Sequence, residues 1–142
     1  MSRARYFAPP VIWMAVIFTF STSLFGSAET GSVLLPILRS VFPGASPSSI
    51  ELMHTAIRKA AHVAEYAVLA LLWLRGLERG ASWSRGKSAA AALIISAMYA
   101  CSDEFHQSFN ANRTPSAVDV LIDTAGASAA LLFMRMKDKG RP

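Results

Sequence analysis

The chain has 142 residues, of which 53% are hydrophobic and 16% charged, with a net charge of +5. That is one domain's length, and its mean hydropathy of +0.36 argues against both an ordinary soluble domain and a disordered chain. The basic residues stand in short clusters beside apolar stretches, which is the positive-inside pattern of a membrane protein and calls for no nucleic-acid partner. Cys101 is the single cysteine, so no intramolecular disulfide and no cysteine-based zinc site can form. At the end of an apolar run it reads as a packed thiol.

Segments roughly 8–25, 60–74, 88–101 and 118–134 are almost free of charge. Each approaches the roughly 20 apolar residues that a helical span needs. The run AAAALIISAMYA has no polar stripe at helical spacing, as an amphipathic soluble helix would. Four such segments leave too little polar sequence to cover them, so the fold class is an all-α, four-span transmembrane bundle.

The first span is expected over about 7–25. It follows the basic arm RAR and opens with Pro9-Pro10, which suits a first helical turn, where a missing N–H is no loss. It closes on the hydroxyls of Ser21, Thr22 and Ser23. The arm, the apolar run and GSAE also have the outline of a cleavable signal sequence ending at Ala28. The length of the run, Trp13 within it and the overall charge pattern favour a retained span.

Residues 26–48 are rich in Gly, Pro and Ser. VLLPILRSVF within them reads as a short interfacial helix, against which Pro36 counts. Ser48 and Glu51 have the S-x-x-E spacing of a capping box, so the second helix is expected to start there and to span about 52–75. GLERGASWSRGK is a short basic loop. The third span covers about 87–107, NANRTPS is a loop, and the fourth covers about 117–135. Residues 1–142 form one domain.

The charges set the orientation. Arg3, Arg5, Arg75, Arg79, Arg85, Lys87, Arg135, Lys137, Lys139 and Arg141 lie on one side, opposed only by Glu78 and Asp138. Arg39, Arg58, Lys59 and Arg113 lie on the other. The expected topology is N-in and C-in, with the first and third loops outside the cell membrane.

That topology gathers the polar residues that interrupt the spans. His62 and Glu65 are one turn apart on the second span, with Arg58 and Lys59 a turn before and Tyr66 beside them. On the third, Asp103, His106 and Gln107 share a face by i, i+3, i+4 spacing, with Glu104 one step round. Asp119 and Asp123 are four apart at the head of the fourth, and Arg113 precedes them in the loop. The side chains of His62, Glu65, Asp103, His106 and Asp123 are expected around one outward-facing cavity, with Arg113 over its mouth. Phe105 and Phe109 should point outward.

Each piece has a plainer account: a hydrogen-bonded pair that fastens helices, an acid at a helix N-terminus, or a cation that snorkels to headgroups. Their co-location weighs the other way, because ionisable groups within spans are costly and face cavities or pathways. Five acids (Glu65, Asp103, Glu104, Asp119, Asp123) stand against three cations (Arg58, Lys59, Arg113), a net −2 before histidine protonation. A shared proton, a charged histidine or a bound cation would answer that excess. The ligand types and spacings suit a divalent metal, but no H-E-x-x-H motif is present, and no cofactor is otherwise required.

RKAAHVAEYAVLALLWLRGL, a basic loop, and then YACSDEFHQSFNANRTPSAVDVLIDTAGA resemble the VanZ-like family of small membrane proteins. The shared pattern falls on Arg58, Lys59, His62, Glu65, Tyr66 and Leu69, then on Asp103, Glu104, His106, Gln107, Arg113, Asp119, Asp123 and Gly126, and the likeness covers about residues 10–135. The resemblance implies a small helical membrane protein and a link to low-level teicoplanin resistance; it implies no reaction and no ligand. Asp123 departs from the asparagine frequent in that family and makes this cluster more acidic. The loop ANRTPS lacks the usual glycine before its arginine.

Three readings follow. In the first, the cluster binds an amphiphilic or lipid-linked envelope molecule, with Arg58, Lys59 and Arg113 on its phosphate or carboxylate and Tyr66, Gln107, Asp119 and Asp123 beside them. In the second, the protein is a membrane-embedded acid–base enzyme, a hydrolase or transferase, with His62 or His106 as general base and Glu65, Asp103 or Glu104 as partner. In the third, the cluster only fastens four helices.

Overall fold

A computed structural model describes residues 3–22, 26–109 and 116–139. Among them the chain forms a 3-10 turn over Arg3–Tyr6 and five α-helices: α1 (Ala8–Phe20), α2 (Ser27–Val41), α3 (Pro47–Gly80), α4 (Arg85–Gln107) and α5 (Ala117–Lys139), with no strand. The all-helical class is as expected. Two helices, Pro47–Gly80 and the Ala117–Asp138 part of α5, are long and apolar enough to cross a bilayer. α4 has the length, but its last turns carry Asp103, Glu104, His106 and Gln107. α1 shows 13 helical residues.

α3 is the axis of the bundle and packs against α1, α2, α4, α5 and the 3-10 turn. Its 34 residues give a length of about 51 Å at 1.5 Å per residue, well beyond a hydrocarbon core of roughly 30 Å. Charged residues mark both ends, Arg58 and Lys59 toward the start and Arg75, Glu78 and Arg79 toward the finish. The longer polar part, Pro47 to Lys59, is the part that projects to meet α2. The helix starts earlier than the capping-box spacing suggested. Ser46, not Ser48, is the cap, its Oγ accepting from the Ser49 N–H at 3.2 Å. Pro47 explains this, since its fixed φ and missing N–H suit the first helical turn.

α2 is the expected helix between the first two long ones, but it begins at Ser27 rather than near Val33. Gly26 caps it in an extended conformation and Glu29 sits in its first turn, where the helix dipole favours an acid. Pro36 lies inside it on an exposed face, so the carbonyl that loses its helical partner remains accessible. α2 leans on the projecting part of α3. Gly31 lies close to the His54 ring, where a Cβ would stand 3.4 Å from Cε1, and Thr30 Oγ1 is 3.3 Å from His54 Nε2.

The inward stripe of α4 is built from small residues, against which larger side chains such as Ile17, Tyr66 and Leu69 pack, while many large apolar side chains face outward. Ser88, Ala92, Ser96 and Ala100 repeat every fourth residue of α4 and are all fully buried. Ile94, Met98, Leu121 and Phe133 are 59–68% exposed. Large apolar side chains this exposed suit helices surrounded by lipid, where close packing of the inward faces drives association. Small side chains permit the approach. A Cβ on Gly126 of α5 would lie 2.8 Å from the Val63 carbonyl oxygen of α3, so the two backbones touch there. Two apolar clusters follow the axis: Ala70, Leu74, Ala92, Ala127 and Leu131 at one level, and Ile17, Tyr66, Leu69 and Ala100 at the other. Cys101 departs from expectation: it is exposed, one step round the helix from the buried Ala100.

Candidate functional site

The buried stripe of α4 explains what happens in SDEFHQSF. Counting on from Ala100, three and four residues reach Asp103 and Glu104, and seven reach Gln107, so helical geometry turns these polar groups toward the other helices. All three are buried. His106 falls at the edge of that face. Phe105 and Phe109 are exposed and meet edge to face at 5.1 Å.

The buried groups divide into two neighbouring sets. In the first, Ser21 at the end of α1 donates its hydroxyl to Asp103 Oδ2 at 2.7 Å, and Gln107 Nε2 donates to the same oxygen at 2.9 Å and to Ser21 Oγ at 3.3 Å. This knot ties α1 to α4. Hydrogen bonds to a charged acceptor are worth about 1.5–3 kcal/mol each, more than an apolar contact at this spot would add. Tyr99 Oη donates to Met14 O at 2.5 Å and the Trp13 indole N–H to Glu65 O at 2.9 Å, completing the polar attachment of α1.

The second set faces a cavity of about 260 Å³ between α3, α4 and α5, lined by Arg58, Lys59 and His62 of α3, Glu104 and Gln107 of α4, Asp119 and Asp123 of α5, and Ser27, Thr55 and Ile122. Lys59 Nζ bonds Asp119 Oδ1 at 2.8 Å across the mouth. Glu104 Oε2 accepts from the Ser116 N–H at 2.9 Å and so holds the entry to α5, where the Ser116 hydroxyl in turn receives the Asp119 N–H at 3.3 Å. His62 Nδ1 is 3.9 Å from Glu65 Oε2. Asp123 is 3% exposed, and its Oδ1 has no hydrogen-bond partner among the described residues. The cavity brings cations, acids, an imidazole and an amide together.

Of the five side chains expected around one cavity, His62 and Asp123 line it. Asp103 turns instead to Ser21, because its place in the α4 stripe aims it at α1. His106 stacks on the Phe18 ring of α1 at 4.6 Å, one position outside that stripe. Glu65 is within reach of His62 but does not line the cavity. Tyr66 is fully buried in the apolar cluster beside Tyr99, with ring centroids 6.4 Å apart. Arg113 lies outside the described residues, as does Ser23. Among the described residues no three His, Cys, Asp or Glu side chains group as they would around a metal ion.

Two polar lining residues went unmarked in the sequence: Ser27 and Thr55 are ordinary hydroxyls, with no spacing to single them out. His54, two turns before His62 and expected nearer water, does not line the cavity but is 3% exposed under α2, which no local pattern announces.

A family model described as VanZ/LLP1 matches residues 7–138. No curated protein and no solved structure matches the chain.

Proposed function

The chain belongs to the VanZ/LLP1 family of membrane proteins, and from that premise we propose that it is a multi-pass envelope protein whose polar cavity binds the headgroup of an amphiphilic envelope molecule. In this reading α1, α3, α4 and α5 are the four spans, both termini are cytoplasmic, and the cavity opens to the outside. The observation that carries it is the cavity lining. Arg58 and Lys59 supply charge for a phosphate or carboxylate, while Glu104, Asp119, Asp123 and Gln107 can receive an amine or hydroxyl. A cluster whose only task was to fasten helices would need no cavity; the Ser21–Asp103 hydrogen bond, off the cavity, performs that task nearby, with Gln107 shared between the two. The family link to teicoplanin resistance fits a protein that engages envelope intermediates at the outer leaflet.

The test is lipid analysis of purified protein together with a teicoplanin susceptibility assay in a sensitive host. Wild-type protein should retain an envelope amphiphile that Arg58→Gln and Asp123→Asn lose at equal membrane abundance, and any gain in resistance should disappear with it. Identical lipid complements in all three would refute the binding site.

A second reading is favoured by one observation. His62 lines the cavity and its Nδ1 lies 3.9 Å from Glu65 Oε2, close enough for a bound molecule to tighten the pair into a general base and its orienting acid, so the protein could act on that molecule. His62→Asn would then keep ligand retention and abolish turnover, whereas a binding protein would keep its phenotype.

A further inference from the structure

The opposite end of the bundle holds a larger cavity, about 690 Å³, between the end of α3, the start of α4 and the end of α5. Its inner wall is Leu74 and Leu131, 4% and 8% exposed; its outer rim includes Ala90 and Leu132, which face the surroundings. The one hydroxyl in the wall, Ser128, donates to Thr124 O in its own helix at 2.8 Å. An occupant's body must therefore be hydrocarbon.

The rim at the helix ends is cationic. Arg85 and Arg135 close the groove. Arg85 is fixed by Glu78 at 3.1 Å and by Asp138, which ties together the ends of α3, α4 and α5. Arg135 is exposed and has no ion-pair partner among the described residues. Arg75, Arg79, Lys87 and Lys137 share this end, against only the two acids that Arg85 engages. An apolar slot under surplus positive charge fits an amphiphile with an anionic head.

We propose that this groove is a binding site for an anionic phospholipid, one acyl chain lying along Leu74, Leu93 and Leu131 and the phosphate meeting Arg135. A second copy of the chain is the competing occupant, since Gly86 and Ala90 would allow close helix approach. Charge decides against it: a two-fold pair in one membrane would set Arg135 against its own copy at the same depth, with Arg75, Arg79, Lys87 and Lys137 adding to the surplus. The anionic lipid supplies the missing charge instead. This site is independent of the polar cavity and of the function proposed for it.

The test uses the full chain, reconstituted in bilayers of equal phosphatidylglycerol and phosphatidylcholine, with retained lipid measured by native mass spectrometry. Wild-type protein should enrich phosphatidylglycerol. Arg135→Gln should cut that enrichment about fivefold, the weight of one basic side chain at an anionic headgroup. Ala90→Trp should expel the lipid altogether, and Leu132→Trp, at an exposed rim position that folding does not depend on, should do the same if Ala90→Trp fails to fold. Retention in the input ratio, or enrichment unchanged by both Arg135→Gln and a tryptophan variant, would sink the proposal. So would a two-copy species that the tryptophan variants split into monomers.

Discussion

The two ends of this bundle handle charge in opposite ways. At the α4 C-terminal end, acids and cations from three helices enclose a small polar cavity, and Asp103 is buried in hydrogen bonds from Ser21 and Gln107. At the other end a single guanidinium, Arg85, ties Glu78 and Asp138 together, and Arg135 stands at the rim of an apolar groove. The same helices thus build a polar cavity at one end and an apolar groove at the other. The difference comes from where α4 changes from Ala and Ser to Asp, Glu and Gln along one buried stripe.

The sidedness of the two ends can be broken outright. In a Cys101→Ser background, Gly44→Cys should react with an impermeant thiol reagent in intact cells and Ser84→Cys should not. The reverse pattern would put the polar cavity in the cytoplasm and end the envelope reading.

Both ends depend on one seam, where Gly126 meets the Val63 carbonyl. Gly126→Leu must push α5 from α3 and should destabilise by at least about 2 kcal/mol, read as a lower thermal midpoint in detergent. Gly86→Ala, where an added Cβ meets nothing within 4 Å, should be close to neutral. Equal midpoints for the two variants would mean that the helices do not touch at Gly126.

The buried knot and the cavity should then separate by their readouts. Asp103→Ala leaves Ser21 and Gln107 without their acceptor and should cost about 2–3 kcal/mol. Unchanged stability would show that the knot does not hold α1 to α4. Arg85→Gln removes ion pairs that are partly exposed and should cost about 1 kcal/mol or less. Lys59→Met should cost least, about 0.5 kcal/mol, because both partners of its pair with Asp119 are more than a third exposed, yet it should abolish retention of the envelope amphiphile. A large loss of stability in Lys59→Met, with ligand still bound, would reassign the pair from binding to architecture.

Helix identity was legible because it rests on local facts: charge-free runs and Pro9-Pro10 at the first helix start. The start of α3 was not, because the capping-box spacing at Ser48 hides the Ser46-Pro47 cap. The gathering of Arg58, Lys59, His62, Glu104, Gln107, Asp119 and Asp123 also followed from the order and direction of the helices, which determine what shares an end. Which of the expected residues turn away from the cavity did not. Asp103 and His106 are three residues apart, and spacing alone assigns them to one face. Only the packed bundle decides that α1 approaches that face, so that Ser21 takes Asp103 and Phe18 takes His106. Tyr66 likewise sits in a polar motif, but the closeness of α3 and α4 at Ala100 closes its ring into the core. Sequence sets the face of a helix to within a turn; tertiary contact divides that face among neighbours, because each buried polar atom goes to whichever partner the backbones bring within hydrogen-bond reach.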